Sequence, residues 1–121
     1  MTKRVLAVDD STTIRQMLNL TLKEAGFDVT LARDGVEALE CAKREAYALV
    51  LTDVNMPRMD GISLVRALRG EESYRYTPII VITTESSAEF KSRGREAGAT
   101  AWIVKPFNPV RLIETVRRVL A

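Results

Sequence analysis

Strand-length apolar runs alternate with helix-period segments along the whole chain, and this alternation restricts the fold more than any other feature. The clearest runs are Val5–Val8, Ala48–Leu51, Ile79–Ile82 and Ala101–Val104. Strands that alternate with helical patterns are the mark of βα units and a parallel sheet. Each run also leads into polar residues: Asp9 and Asp10, Thr52 and Asp53, Thr83, and Lys105. Open α/β sheets bind ligands in the crevice outside the carboxyl ends of their strands. The pattern therefore gathers five scattered side chains, Asp9, Asp10, Asp53, Thr83 and Lys105, into one expected site.

The spacing predicts a first strand over Arg4–Asp9, then a helix capped within Ser11-Thr12-Thr13 and buried through Ile14, Met17, Leu18 and Leu22. Gly26 ends that helix. A second strand, Asp28–Ala32, precedes Asp34-Gly35 and a helix facing inward through Val36, Leu39 and Ala42. The third strand runs to Asp53, ahead of a turn-rich stretch from Asn55 to Gly61 and a helix with Ile62, Val65 and Leu68 inward. Pro78 opens the fourth strand, where no ladder donor is needed. A helix over Ser86–Ala97 has a thin apolar face of Phe90, Gly94 and Ala97. The last helix starts near Pro109 and buries Leu112, Ile113, Val116 and Leu120. Five βα units are expected.

At 121 residues and 46% hydrophobic, the chain suits one compact domain over residues 1–121, with no linker, repeat or output domain expected. The net charge of +2 is spread over both signs, so no nucleic-acid partner is expected. Apolar stretches fall far short of the roughly 20 residues of a membrane span, and because Met1-Thr2-Lys3-Arg4 leads directly into a strand, no signal peptide is expected. The single cysteine, Cys41, reads as a packed or partly buried thiol and fits a cytoplasmic protein. Met17, Met56 and Met59 need no special role. Histidine is absent, which excludes a Ser-His-Asp triad, histidine-ligated zinc and a phosphohistidine on this chain.

Three carboxylates in one crevice repel, and one keeps its proton unless a cation intervenes. A hard divalent cation with oxygen ligands, Mg2+ or Mn2+, suits such a site and shares carboxylates with a phosphate. Three carboxylates and Lys105 sum to about −2, which one divalent ion cancels, so a phosphoryl dianion can approach without net repulsion.

The ordered set Asp9-Asp10-Ser11, Asp53, Met56-Pro57 with Met59-Asp60-Gly61, Thr83 and Lys105-Pro106-Phe107 resembles the receiver domain of two-component response regulators. The likeness spans the chain and is greatest to the stand-alone CheY-like chemotaxis type. Any one part has an ordinary reading: Asp10 or Ser11 as a helix cap, Asp60-Gly61 as a turn, Lys105 as a solvated lysine. All of them, in order and each at its own strand end, give the pattern its specificity.

The resemblance implies a flavodoxin-like (βα)5 fold, a doubly wound parallel five-stranded sheet of order 2-1-3-4-5 in three α/β/α layers. It implies Asp53 as phosphoacceptor, with a histidine kinase's phosphohistidine or a small acyl phosphate as donor. The implied metal ligands are Asp10, Asp53 and the backbone carbonyl of Asn55, with Asp9 acting through water. Lys105 pairs with a phosphate oxygen, aimed by an expected cis Lys105–Pro106 peptide, and Thr83 donates to another. Thr83 and Trp102 form the implied switch; tyrosine is usual at the second position in the chemotaxis proteins, so tryptophan departs from the pattern. Asn55 and Glu85 flank the attacking water and tune phosphate lifetime.

The expectation is a monomeric, phosphorylation-controlled interaction protein, not an enzyme with an external substrate. Its expected partner is a phosphorylation-dependent target such as a flagellar motor switch protein. The basic side chains of Lys91, Arg93, Arg95, Arg111, Arg117 and Arg118 read either as solvated helix charges or as a surface for an acidic partner segment. Three further readings compete: a phosphate sink or relay receiver without a motor target, a small aspartyl-nucleophile phosphatase, and a structural pseudo-receiver, which the complete set of acids and lysine argues against. Phosphatases of the haloacid-dehalogenase type place a second aspartate two residues past the nucleophile. Asn55 stands there, and an amide cannot shuttle that proton.

Overall fold

The computed structural model describes residues 2–121. Five strands, β1 (Arg4–Val8), β2 (Asp28–Ala32), β3 (Leu49–Thr52), β4 (Ile79–Thr83) and β5 (Ala101–Val104), form one parallel sheet in the order β2-β1-β3-β4-β5. Four helices connect them, α1 (Thr12–Glu24), α2 (Gly35–Arg44), α3 (Gly61–Arg69) and α4 (Ala88–Ala97), and α5 (Pro109–Leu120) follows β5. This is the flavodoxin-like topology and strand order expected from the resemblance.

Local sequence sets where each helix begins. Ser11, Asp34, Asp60, Ser87 and Asn108 are the N-caps, and each side chain accepts a hydrogen bond from a backbone N–H of the first turn. Such caps contribute about 1 kcal/mol each. Together they mark the points where the chain turns from a strand end into a helix. Four of these turns border the site, and the fifth, at Asp34, lies beside it.

Period-2 alternation along the central strands divides the core between the two faces of the sheet. Leu6, Val8, Val50, Ile79 and Val81 pack with Ala38, Ala42, Ile62, Val65 and Leu68 on the face covered by α2, α3 and α4. Val5, Ala7, Leu49, Leu51, Ile80 and Ile82 pack with Leu18, Leu22, Leu112 and Val116 of α1 and α5 on the other. Strands covered on both faces read as continuous apolar runs, and for that reason they stood out in the sequence.

The structure corrects several details of the sequence reading. Met17 is 43% exposed, because α1 seats itself through Leu18 and Leu22, one turn apart, and Met17 falls at the rim. On α2 it is Ala38 and Ala42 that are buried, while Val36 and Leu39 are half-buried. Ile113 and Leu120 of α5 are likewise only half-buried. β1 ends at Val8 rather than Asp9, and α4 begins at Ala88 rather than Ser86. A short 3-10 turn, Glu72–Tyr74, was not anticipated. It buries Tyr74, whose hydroxyl lies 2.7 Å from the carbonyls of both Ala42 and Glu45. Cys41 is half-buried, as expected. No described helix is long and apolar enough to cross a membrane.

Candidate functional site

Backbone bonds that continue the sheet past its strands fix the site residues. Asp9 N–H donates to the carbonyl of Ala32 (3.1 Å), Asp53 N–H to that of Val8 (2.9 Å), and Lys105 N–H to that of Thr83 (2.8 Å). Each of these three residues is thus one position beyond its strand, still held by the neighbouring strand. The parallel register places Val8 opposite both Ala32 and Thr52, and Thr83 opposite Val104. The ends of the four site-bearing strands lie side by side.

The carboxylates of Asp9, Asp10 and Asp53 converge, with one ligand oxygen from each lying within 4.8 Å of the others. Asp9 is buried; its Oδ1 accepts from Ser11 N–H (2.9 Å) and its Oδ2 from Lys105 Nζ (2.7 Å). Asp53 is also buried, with Oδ1 accepting from Val54 N–H (2.7 Å) and Oδ2 lying 3.3 Å from Lys105 Nζ. Asp10 is exposed at the mouth. Arg15 of α1 donates to the carbonyl of Asp9 at 2.7 Å, securing the turn that carries both acids.

Lys105 reaches the crevice across a cis peptide to Pro106, as expected. Its ammonium is the cation bonded to both buried acids. Burial alone would lower its pKa, but the hydrogen bond to Asp9 and the charges of Asp53 and Asp9 outweigh this and hold it above the ordinary lysine value. Burial, and then the charge of Asp9, push the Asp53 carboxyl above the usual carboxylate range, and Lys105 offsets only part. Without a further cation, the pocket disfavours a charged Asp53.

That imbalance tests whether the residues fit a metal. The donor set is all carboxylate oxygen, one acid stays open to solvent, and the single ammonium leaves negative charge uncancelled. A hard, partly hydrated divalent cation such as Mg2+ matches this donor set. Asn55 lies exposed two residues past Asp53.

Thr83 is fully buried at the end of β4, and its Oγ1 accepts from Glu85 N–H at 3.2 Å. A hydroxyl that accepts one bond still has a proton to donate. The carbonyl of Glu85 in turn accepts from Trp102 Nε1–H at 3.0 Å. Trp102 is half-buried, with its ring packed against α4. Glu85, named from sequence only as a neighbour of attacking water, is also the backbone link between Thr83 and Trp102.

Other contributors escaped the sequence reading. In the sequence Gly61 is an ordinary turn residue, yet a Cβ there would overlap the backbone carbonyl oxygen of Asp53, so α3 can start this close only on glycine. Its N–H donates to the carbonyl of Val54 at 2.8 Å. Asp34 and Arg58, given no role in the sequence, form a two-pronged ion pair beside the site, with Nε–Oδ2 at 2.9 Å and Nη2–Oδ1 at 3.1 Å. The signal for Gly61 was its place directly after the cap Asp60, four residues past Pro57. Arg58 carried none.

A family profile for the response regulator receiver domain matches residues 5–117. The chain belongs to that family. It is 41% identical over 119 residues to a chemotaxis protein CheY homolog of Campylobacter jejuni, covering 97% of this chain and 92% of that one. It is 41% identical over 118 residues to the probable transcriptional regulator ycf27 of Porphyridium aerugineum, covering 98% of this chain but only 48% of that protein. Among solved structures, the chemotaxis response regulator CheY4 of Vibrio cholerae superposes with a TM-score of 0.94 at 49% identity, over 98% of this chain and 99% of that one. Within the receiver family the likeness is therefore to CheY-like receivers.

Proposed function

We propose that the chain accepts a phosphoryl group on Asp53 from a histidine kinase in a Mg2+-dependent reaction, and that the modified form changes its binding to a protein target in chemotaxis signalling. The observation that carries this reading is the convergence of Lys105 Nζ, at 2.7 and 3.3 Å, on two buried acids whose oxygens cluster with that of Asp10. Near-full-length similarity to CheY proteins supports the chemotaxis setting.

In this reading an Asp53 carboxylate oxygen attacks phosphorus, the P–N bond of the donor phosphohistidine breaks, and the imidazole leaves with that electron pair. Asp10, Asp53 and the Asn55 carbonyl would hold the Mg2+, with Asp9 acting through water, and the bound ion would supply charge neutralisation for the phosphoryl group. Lys105 leaves its contact with Asp53 to pair with one phosphoryl oxygen. Thr83 turns its hydroxyl to donate to another, which shifts the oxygen that accepts from Glu85 N–H. That shift passes through the Glu85 carbonyl to the Trp102 indole. Hydrolysis by water returns Asp53 and inorganic phosphate, with Asn55 and Glu85 at the approach. The protein assists its own phosphorylation and dephosphorylation and turns over no external substrate.

The surface that reads the change is α4, β5 and α5. Lys91, Arg93, Arg95, Arg111, Arg117 and Arg118 are exposed there, and an acidic segment of the target is the complementary partner. Phosphotransfer from candidate kinases, with and without Mg2+, tests the reaction: label should appear on the wild type, and neither on Asp53→Asn nor after chelation. Capture by the labelled form separates a motor target from a receiver that only drains a kinase. Labelling that persists without any divalent ion would overturn the proposal.

A further inference from the structure

The loop that carries Asn55 contains a backbone conformation that the chemistry above does not explain. Arg58 has a φ of 68°, the positive value that glycine or asparagine ordinarily supplies. Across it, Met59 N–H donates to the carbonyl of Pro57 at 2.8 Å. A bond between residues i and i+2 around a positive φ defines the rare and strained form of γ-turn. Such strain persists only where the surroundings over-determine it, and it clusters at functional sites.

The surroundings here are specific. The Arg58 guanidinium binds both oxygens of buried Asp34, which also caps α2 by accepting from Glu37 N–H at 2.9 Å. Next along the chain, Gly35 N–H donates to the carbonyl of Met59 at 3.2 Å, and a Cβ on Gly35 would lie 2.6 Å from that oxygen. The loop is thus clamped at two adjacent points onto the first turn of α2. Asp34 and Arg58 line an open cleft of about 420 Å3 together with Asp10. Among the described residues, neither bonds to Asp9, Asp10, Asp53 or Lys105.

We propose that the Arg58–Asp34 pair is a positioning device for the cation site, fixing the Asn55–Asp60 loop on α2 so that the Asn55 carbonyl keeps its place relative to Asp10 and Asp53. This rests on the Mg2+-dependent reading above. Arg58 is a cation near a cation site, at a backbone position that disfavours its Cβ. Neither property favours arginine unless the clamp itself is what matters.

Mn2+ binding to the full chain, followed through the resonance of the free ion, tests this, with melting recorded in chelator. Arg58→Ala and Asp34→Asn should each weaken binding roughly tenfold, as loss of an outer support for a metal ligand typically does. The double variant should be no weaker than either single one, because both remove one interaction. The sign is decisive: as bare charges, losing Arg58 would tighten cation binding and losing Asp34 would loosen it. Arg58→Gly relieves the φ strain, so it should melt above Arg58→Ala yet bind Mn2+ no better. Arg58→Lys, a point charge without the fork, should recover little of the affinity. Wild-type affinity in Arg58→Gly and Asp34→Asn, or tighter binding by Arg58→Ala, would overturn the proposal. A wild type that binds no Mn2+ would instead remove the metal reading on which it rests.

Discussion

The ring of Trp102 occupies the space that Gly94 leaves open: a Cβ built on that glycine would lie 2.5 Å from Cζ3 of the indole. Gly94 sits mid-way along α4, where glycine is otherwise unfavourable by about 1 kcal/mol relative to alanine. The larger aromatic at this position is therefore accommodated by a missing side chain on the helix it faces. With its N–H also bonded to the Glu85 carbonyl, the indole is already turned toward the β4–α4 connection.

Gly94→Ala sets helix propensity against packing. The gain of about 1 kcal/mol in propensity is outweighed by overpacking, which costs about 1–3 kcal/mol. The variant should lose about 1 kcal/mol of stability in denaturant titration and show Trp102 emission shifted to the red as the ring is displaced. A variant that gains stability with unchanged emission would show that the ring yields freely.

Two hydrogen bonds on one residue, Glu85 N–H to Thr83 Oγ1 and Trp102 Nε1–H to the Glu85 carbonyl, join the buried end of β4 to the outer face. Beryllofluoride added with Mg2+ should change the emission of Trp102, and Thr83→Ala should suppress that change. An undiminished response in Thr83→Ala would mean that the signal bypasses this pair of bonds.

Much of this architecture could be read from the chain because its causes are local. A strand buried on both faces needs an unbroken apolar run, a helix start needs a capping side chain, and a site at strand ends needs polar residues immediately after the runs. Asp9, Asp53, Thr83 and Lys105 satisfy that last condition, so they were found together. Arg69 shows what stays hidden. Its guanidinium donates to the carbonyls of Gly98, Tyr74 and Thr77, backbone groups that any residue presents and that meet only in the folded chain. The Arg58–Asp34 pair spans 24 positions and was invisible for the same reason. Met17 failed differently: helical spacing defines a stripe, and the edges of a stripe depend on how close the neighbouring layer comes.

Asp53→Asn should make the chelated protein more stable at neutral pH. Burial and the charge of Asp9 raise the Asp53 pKa, so the folded state binds the proton more tightly than the unfolded chain does. A group shifted in that direction costs stability above the ordinary carboxylate range. The amide removes this cost and leaves Lys105 paired with Asp9 at 2.7 Å. Thermal unfolding in chelator should show a higher midpoint for the variant. A lower midpoint would mean that the Lys105–Asp53 contact matters more than the repulsion.

The Arg58–Asp34 pair predicts the opposite sign at low pH. The hydrogen bond from Arg58 holds the Asp34 carboxyl below its ordinary value, against the contrary effect of burial. A depressed folded-state pKa contributes stability above the usual carboxylate range, and that stability is lost as pH falls through the lower folded value. Arg58→Ala removes the main cause, so its acid-unfolding midpoint, followed by circular dichroism, should move toward neutral pH. An unmoved midpoint would show that solvent screens the pair too well for it to matter.

Gly61 gives the most severe expectation. Its φ is not in the left-handed region, so conformational freedom is not what glycine supplies here. A Cβ would meet the Asp53 carbonyl oxygen, the Asp53 carbonyl carbon and the Val54 Cα, all backbone atoms at the end of β3. Neither side can yield cheaply, since Asp53 N–H is bonded to Val8 and Gly61 N–H to Val54. Gly61→Ala should therefore destabilise by about 3 kcal/mol, the upper end of overpacking costs. It should also weaken Mg2+ binding, because relief of the clash must move Asp53. Calorimetric melting and Mn2+ titration of the same variant would check both. A near-wild-type melting temperature would show that α3 can retreat from the sheet without disturbing the acid it approaches.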